Sequence, residues 1–244
     1  MSLIFVNATV EELKKAVVKE IHSVLLKTTT EKRNISIGLS GGSMPMQISP
    51  GILTLKDVDW SRVHFFFCDE RLVPYDNPES TFGVYQNLLF SKLNPPPVVH
   101  KVNIGAGSTE EVAKDYQADV VEYFGAENGY PAFDLLLLGM GPDGHTCSLF
   151  PHHELLRVED LVVAPITDSP KPPPNRVTLS LPVINKASKV IFIVTGANKA
   201  EVMKKIFEDD HPSEMYPASM VQPLAGKPLW YLDGSAARLL FSAN

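Results

Sequence analysis

A chain of 244 residues with 44% hydrophobic and 20% charged residues has the composition of an ordinary globular protein. At length/150 of about 1.6 it lies between one large domain and two small ones. Its 28 acidic residues outnumber its 22 basic ones, a net charge of −6, which argues against nucleic acid or an anionic membrane as the main partner and requires any anionic ligand to meet a local basic pocket.

Short apolar runs recur along the chain at Leu3–Val6, Ile35–Leu39, Val63–Cys68, Leu135–Leu138, Leu161–Ala164, Val177–Leu181, Val190–Val194 and Leu229–Leu232. They are continuous rather than alternating, the pattern of strands covered on both faces, as in a parallel sheet. Helical patterns lie between several of them. Thr9-Val10-Glu11-Glu12 has the spacing of a capping box, and Val10, Leu13, Val17, Ile21, Val24 and Leu25 follow at helical intervals. Ser108-Thr109-Glu110-Glu111 opens a second helix running to about Phe124, and Asn198 to Phe207 reads as a third. This alternation predicts an α/β fold. Pro95–Pro97 and Pro170–Pro174 are the stiffest loops, and neither marks a change of composition, so residues 1–244 are expected to form a single domain.

The longest unbroken apolar run, Val190–Val194, has five residues, against the ~20 needed to cross a bilayer. The first residues lack the basic segment of a signal or transit peptide, and Glu11 and Glu12 follow closely, so the mature chain is expected to begin at Met1. Cys68 and Cys147 belong to no Cys-x-x-Cys pair, which fits a reducing cytoplasm better than a disulfide framework.

Four predicted strands end in polar or glycine-rich turns: Ser40-Gly41-Gly42-Ser43, Asp69-Glu70-Arg71, Gly139 to His145, and Thr195 to Lys199. Ligands of open α/β sheets bind outside the carboxyl ends of the strands, so these turns are expected to form one site. Gly41 and Gly42 let the backbone approach a ligand. Pro45 sits where a helix would begin, making an anion cradle of free amides. The same stretch, Gly38-Leu39-Ser40-Gly41-Gly42, also matches a nucleophile elbow, with Asp69 or Asp134 and then His145 in hydrolase order. Gly139-x-Gly141-x-x-Gly144 formally fits a dinucleotide fingerprint. However, Asp143 would bring negative charge to the diphosphate and Pro151 cuts short the following helix. His152, His153 and Cys147 are close enough in sequence to raise a zinc site, although adjacent histidines do not readily face one centre. The preferred reading is that the glycine turn presents His145 as a proton-transfer group oriented by Asp143. Arg71, Arg176 and Lys199 together supply the positive pocket that an acidic chain needs for a phosphorylated substrate.

The blocks Gly38 to Pro45, Asp69-Glu70-Arg71, Gly139 to Pro151 and Asn175 to Leu179 resemble, in order and spacing, the motif series of the 6-phosphogluconolactonase family. The likeness extends over essentially the whole chain. It implies a Rossmann-like three-layer α/β/α sandwich with a mostly parallel sheet, shared with glucosamine-6-phosphate deaminases, ribose-5-phosphate isomerases and CoA-transferase-like proteins. It also implies hydrolysis of a 6-phosphoglucono-lactone without metal or organic cofactor, and no obligate protein partner. The deaminase branch carries an acidic residue shortly after the turn histidine, whereas Thr146-Cys147-Ser148-Leu149-Phe150-Pro151 has none. Thr81-Phe82 and Cys147 depart from the usual lactonase pattern of an Asn-Tyr type pair and an Ala. The expected site is His145 as base, Asp143 orienting it and Arg71 at the developing oxyanion. Ser40, Gly41, Gly42, Ser43, Asp69, Arg176 and Lys199 are expected around the substrate and its phosphate, with either Asp69 or Glu70 facing the ligand.

Overall fold

The computed structural model describes residues 3–126, 129–209 and 211–240. The first helix shows how the sequence sets the elements. Thr9 Oγ1 accepts from the Glu12 amide (3.2 Å) and Glu12 Oε2 accepts from the Ala8 amide (3.0 Å), opening α1 (Val10–Leu25). Leu13, Val17, Ile21 and Val24 on its inner stripe are buried, each contributing about 1.5–3 kcal/mol by leaving water. Ser108 and Glu111 make the same reciprocal capping box for α5 (Thr109–Phe124).

Seven strands form one parallel sheet in the order β1 (Leu3–Asn7), β10 (Leu229–Asp233), β9 (Val190–Val194), β6 (Leu135–Leu138), β2 (Ile35–Leu39), β3 (Val63–Phe67) and β5 (Val98–Val99). Alternate residues of these strands feed two cores. Ile37, Leu39, Phe65, Leu135 and Ile191 pack on one side with α1, α3 (Met44–Ile52) and α4 (Thr81–Leu88). Phe66, Leu136, Leu138, Phe192 and Trp230 pack on the other with α5, α6 (Leu181–Lys186) and α7 (Ala200–Asp209). The result is the expected three-layer α/β/α sandwich. Among the described residues no helix is long and apolar enough to cross a membrane.

Two of the predicted parallel strands lie elsewhere. Leu161–Ala164 and Val177–Leu181 become β7 (Val163–Ile166) and β8 (Arg176–Leu179), which pair antiparallel with each other and with β4 (Asp69–Arg71) in a separate three-stranded sheet. Burial on both faces gives the same continuous apolar pattern in either setting, which is why the runs alone did not separate them. The third predicted helix also starts later: Ala197–Lys199 is a 3-10 turn, and α7 begins at Ala200.

The parallel order places the carboxyl ends of β9, β6, β2 and β3 side by side on one edge. Connections from β2 run outward through β3 to β5, while β6 starts the opposite half through β9 and β10. The β2/β6 junction is therefore the point where the winding changes direction and a crevice opens.

Candidate active site

That crevice holds a cavity of about 230 Å³ lined by residues of all four predicted turns, among them Ser40, Gly42, Arg71, Gly141, His145 and Lys199. Ser40 continues the β2 ladder, its amide donating to Leu137 O (3.1 Å) and its carbonyl accepting from buried Tyr85 Oη (3.1 Å). Gly42 then takes φ +69°, a left-handed conformation that glycine adopts without strain. Helix α3 begins with Pro45 in its first turn and without a side-chain cap, so its leading amides remain available to an anion at the cavity. Gln47, one turn on, donates to Ser43 Oγ and to Thr195 Oγ1, each at 3.1 Å, and so ties this cradle to the turn after β9.

The turn after β6 is closed by bonds from Gly141 N to His145 O (2.8 Å) and Gly144 N to Gly141 O (3.0 Å), with Gly144 at φ +85°. Thr146 Oγ1 fixes its far end to Gly139 O (2.9 Å). A tight Thr146–Leu149 bridge follows rather than a helix, so the Gly139-x-Gly141-x-x-Gly144 spacing presents no helix N-terminus to a diphosphate. The His145 ring leans on Phe150, with centroids 4.7 Å apart. Its Nδ1 lies 2.6 Å from Asp143 Oδ1. An ionised carboxylate only accepts, so Nδ1 is the donor of this pair, and in the neutral ring Nε2 holds the lone pair. Partial burial works to raise the Asp143 carboxyl, but the hydrogen bonds and charges of His145 and Lys171 prevail and hold it well below the usual carboxylate range.

Lys171 is the residue that sequence reading missed. Its ammonium lies 3.0 Å from Asp143 Oδ2 and 3.1 Å from His145 Nδ1. Its loop is held by Arg176, whose guanidinium donates to Lys171 O (2.8 Å), Pro172 O (3.0 Å) and Pro173 O (3.0 Å). Arg176 is buried, stands over the Phe150 ring and is absent from the cavity lining; Nε and Nη2 serve this loop while Nη1 reaches Ser148 Oγ (3.5 Å). The proline run Pro170–Pro174 signalled a stiff segment, but nothing in it indicated that the lysine would turn towards residue 143.

On β4, Asp69 and Arg71 line the cavity while Glu70 does not. Asp69 Oδ2 accepts from Ser148 Oγ (2.9 Å). Arg71 Nη1 donates to Glu79 O and Glu79 Oε2, both at 3.0 Å, and its Nε is buried without a partner in the structure. Arg71 stands directly across the antiparallel pair from Arg176, concentrating positive charge at this wall. Lys199 completes the positive side. It is half-buried and forms no ion pair within 4.0 Å among the described residues, and burial together with Lys171 pushes its ammonium below the usual value.

Two alternatives that the sequence reading set beside the preferred one gain no support. The Ser40 hydroxyl is buried and makes no hydrogen bond, so no base is poised to activate it. Contact with the Cys68 thiol, followed by burial, pushes the Cys147 thiol well up, away from the thiolate that a nucleophile or ligand requires. His153 pairs with Asp168 (3.0 Å), and among the described residues no group of three or more His, Cys, Asp or Glu is arranged to hold a metal.

The chain matches, over residues 8–230, the family model described as "Glucosamine-6-phosphate isomerases/6-phosphogluconolactonase". It is 47% identical over 214 residues to human 6-phosphogluconolactonase, covering 86% of this chain and 82% of that one. It is 49% identical over 210 residues to the Rattus norvegicus protein of the same name, covering 84% and 80%. Among solved structures, 6-phosphogluconolactonase from Trypanosoma brucei superposes with a TM-score of 0.83 at 28% identity, covering 98% of this chain and 99% of that one.

Proposed function

Because this chain belongs to the glucosamine-6-phosphate isomerase/6-phosphogluconolactonase family, we propose that it hydrolyses 6-phospho-D-glucono-1,5-lactone to 6-phospho-D-gluconate, using a water molecule activated by His145. The observation that carries this reading is the Asp143–His145 pair, set on the cavity that Arg71 and Lys199 also line.

In this mechanism His145 Nε2 takes a proton from water as its oxygen attacks the lactone carbonyl, and Asp143 holds the resulting imidazolium. The C1–O5 bond then breaks, and the same proton passes to the departing ring oxygen. Such acid–base help is worth about 10²–10⁴-fold. Arg71 supports the developing oxyanion, where loss of one contact typically costs about 10²–10³-fold. The Ser40-Gly41-Gly42-Ser43 cradle and Lys199 take the phosphate, with Asp69 at the sugar side and Arg176 bracing the wall from behind. The reading calls for no metal or organic cofactor. It places the protein in the oxidative branch of the pentose phosphate pathway in the cytoplasm, with a small sugar-phosphate lactone as its partner. Since the site draws on residues from Ser40 to Lys199, the reading also treats residues 1–244 as one domain.

The test is hydrolysis of freshly generated lactone, measured against its spontaneous background. Acceleration by the wild type, and a loss of about 10²–10⁴-fold in kcat for His145→Ala with KM little changed, is the expected result. No acceleration over background overturns the function, and ammonia release from glucosamine 6-phosphate would assign the chain to the deaminase branch instead.

A further inference from the structure

We infer that Lys171 is a positioning residue for the base: by holding the outer oxygen of Asp143 it fixes the carboxylate so that the inner oxygen keeps the proton of His145 on Nδ1. The inference rests on reading His145 as the base. It follows from how the three groups share hydrogen bonds. Oδ1 of the carboxylate takes His145 Nδ1 at 2.6 Å and, at a longer 3.5 Å, the His145 amide, while Oδ2 takes Lys171 Nζ at 3.0 Å. The 3.1 Å approach of Lys171 Nζ to His145 Nδ1 brings two donors together over one acceptor group. A lysine ammonium cannot accept, and a ring nitrogen that is already donating cannot accept either. With Nδ1 donating at 2.6 Å, the carboxylate is the acceptor that both groups share.

The anchoring of Lys171 supports the same role. Its side chain is long and rotamer-rich, and an exposed lysine would lose conformational freedom on being held in one place. Here the backbone is fixed first. Ser169 Oγ and Arg176 Nη2 both donate to Lys171 O, at 2.8 Å each, and Arg176 adds bonds to the next two carbonyls. A buried arginine spending three donors on the loop that carries one lysine is an expensive way to place a solvated charge, and a direct way to place one that must stay on Asp143. His145 and Arg176 also share the Phe150 ring as a platform, so the base and the brace of its positioning lysine are set against the same side chain.

The kinetic test is a double-mutant cycle in the full-length protein. Lys171→Met is expected to lower kcat by about 10- to 100-fold with KM within twofold, the scale of a misplaced catalytic group, and Lys171→Arg to recover most of that loss. In an Asp143→Asn background, Lys171→Met should cost less than twofold, because the group through which it acts is already changed. Full additivity, or a tenfold rise in KM at unchanged kcat, overturns the inference and makes Lys171 a direct substrate ligand. A second readout needs no turnover. The ring ¹⁵N shifts of His145, assigned with a His145→Asn variant, should show a protonated Nδ1 and bare Nε2 in the wild type and a tautomer mixture in Lys171→Met. Unchanged shifts in that variant also overturn it. A wild type that fails to accelerate lactone hydrolysis defeats the functional reading, while the shifts still decide whether Lys171 orients the ring.

Discussion

Asp69 and Glu70 are consecutive, yet their carboxylates serve opposite faces of β4. Asp69 lines the cavity and accepts from Ser148, whereas Glu70 is fully buried and accepts from the amides of Thr81 (2.7 Å), Phe82 (2.7 Å) and Arg71 (2.9 Å). Side chains alternate along a strand, so residues 69 and 71 share the cavity-facing side and residue 70 does not. Two of the amides bound by Glu70 open helix α4. The residue thus clamps the strand bearing Arg71 to the helix whose Thr81 packs against Gly41.

This clamp has a pH signature. Burial, opposed by the three amide bonds, pushes the Glu70 carboxyl from 4.5 up to about 7. The folded protein therefore binds this proton more tightly than the unfolded chain, and its stabilising contribution is fully present below about pH 4.5 and lost as pH rises through about 7. Glu70→Gln should flatten that part of the stability profile in urea unfolding between pH 5 and 8. Glu70→Ala leaves two or more buried amides unpaired, at about 1–3 kcal/mol each, and should lower stability at every pH in this range. A Glu70→Gln profile parallel to that of the wild type would contradict the assignment.

The β4 case also shows where the sequence was readable. The continuous apolar runs of β2, β3, β6 and β9 and the glycine turns after them were legible because burial on both faces and tight turns leave strong compositional marks. The Asp143–His145 pair was legible for the same reason. β4 was not, since Asp-Glu-Arg carries no apolar signal and is a strand only because β8 pairs with it. Lys171 was hidden because its role depends on a loop 26 positions from His145 in the numbering, held by bonds from Arg176 to backbone carbonyls. For Arg176 the sequence shows a charge, read as a phosphate ligand, and not that its donors reach the carbonyls of residues 171 to 173.

Glycine substitutions separate space from flexibility in the turn after β6. A Cβ at Gly141 would lie 2.0 Å from His145 Nδ1 and 2.5 Å from Asp143 Oδ1, while one at Gly139 would meet nothing within 4 Å. Gly141→Ala should therefore displace the imidazole and lower kcat by about 10²-fold, the scale of a 1 Å misplacement, with KM little changed. Gly139→Ala should stay within about twofold of the wild type in kcat, as expected where no contact is made. Steady-state kinetics of the two variants side by side checks this, and equal effects would place the cause in backbone flexibility instead.

Ser40 tests the route of attack. Its hydroxyl is buried and unpaired in the structure, so removing it leaves no partner stranded and should not lower the melting temperature. If it bonds the substrate when bound, the loss is one neutral hydrogen bond of about 0.5–1.5 kcal/mol, a roughly 2- to 10-fold rise in KM with kcat retained. Abolished turnover in Ser40→Ala, together with a covalent serine adduct trapped on the wild type and seen by mass spectrometry, would replace the water mechanism by the nucleophile-elbow one.

Lys199 should show the opposite balance of stability and function. Its ammonium is half-buried and has no ion-pair partner among the described residues, and desolvation together with Lys171 disfavours its charge, so in the free protein the charge costs more than it stabilises. An anionic substrate reverses this by supplying the missing counter-charge at the cavity. Lys199→Met should keep the apolar stem, leave the melting temperature unchanged or higher, and raise KM by about tenfold or more with kcat nearly constant, as for loss of a charge-assisted bond of about 1.5–3 kcal/mol. Thermal melts and kinetics on one preparation decide it. A lower melting temperature with unchanged KM would mean that Lys199 holds the fold of the turn after β9 rather than the phosphate.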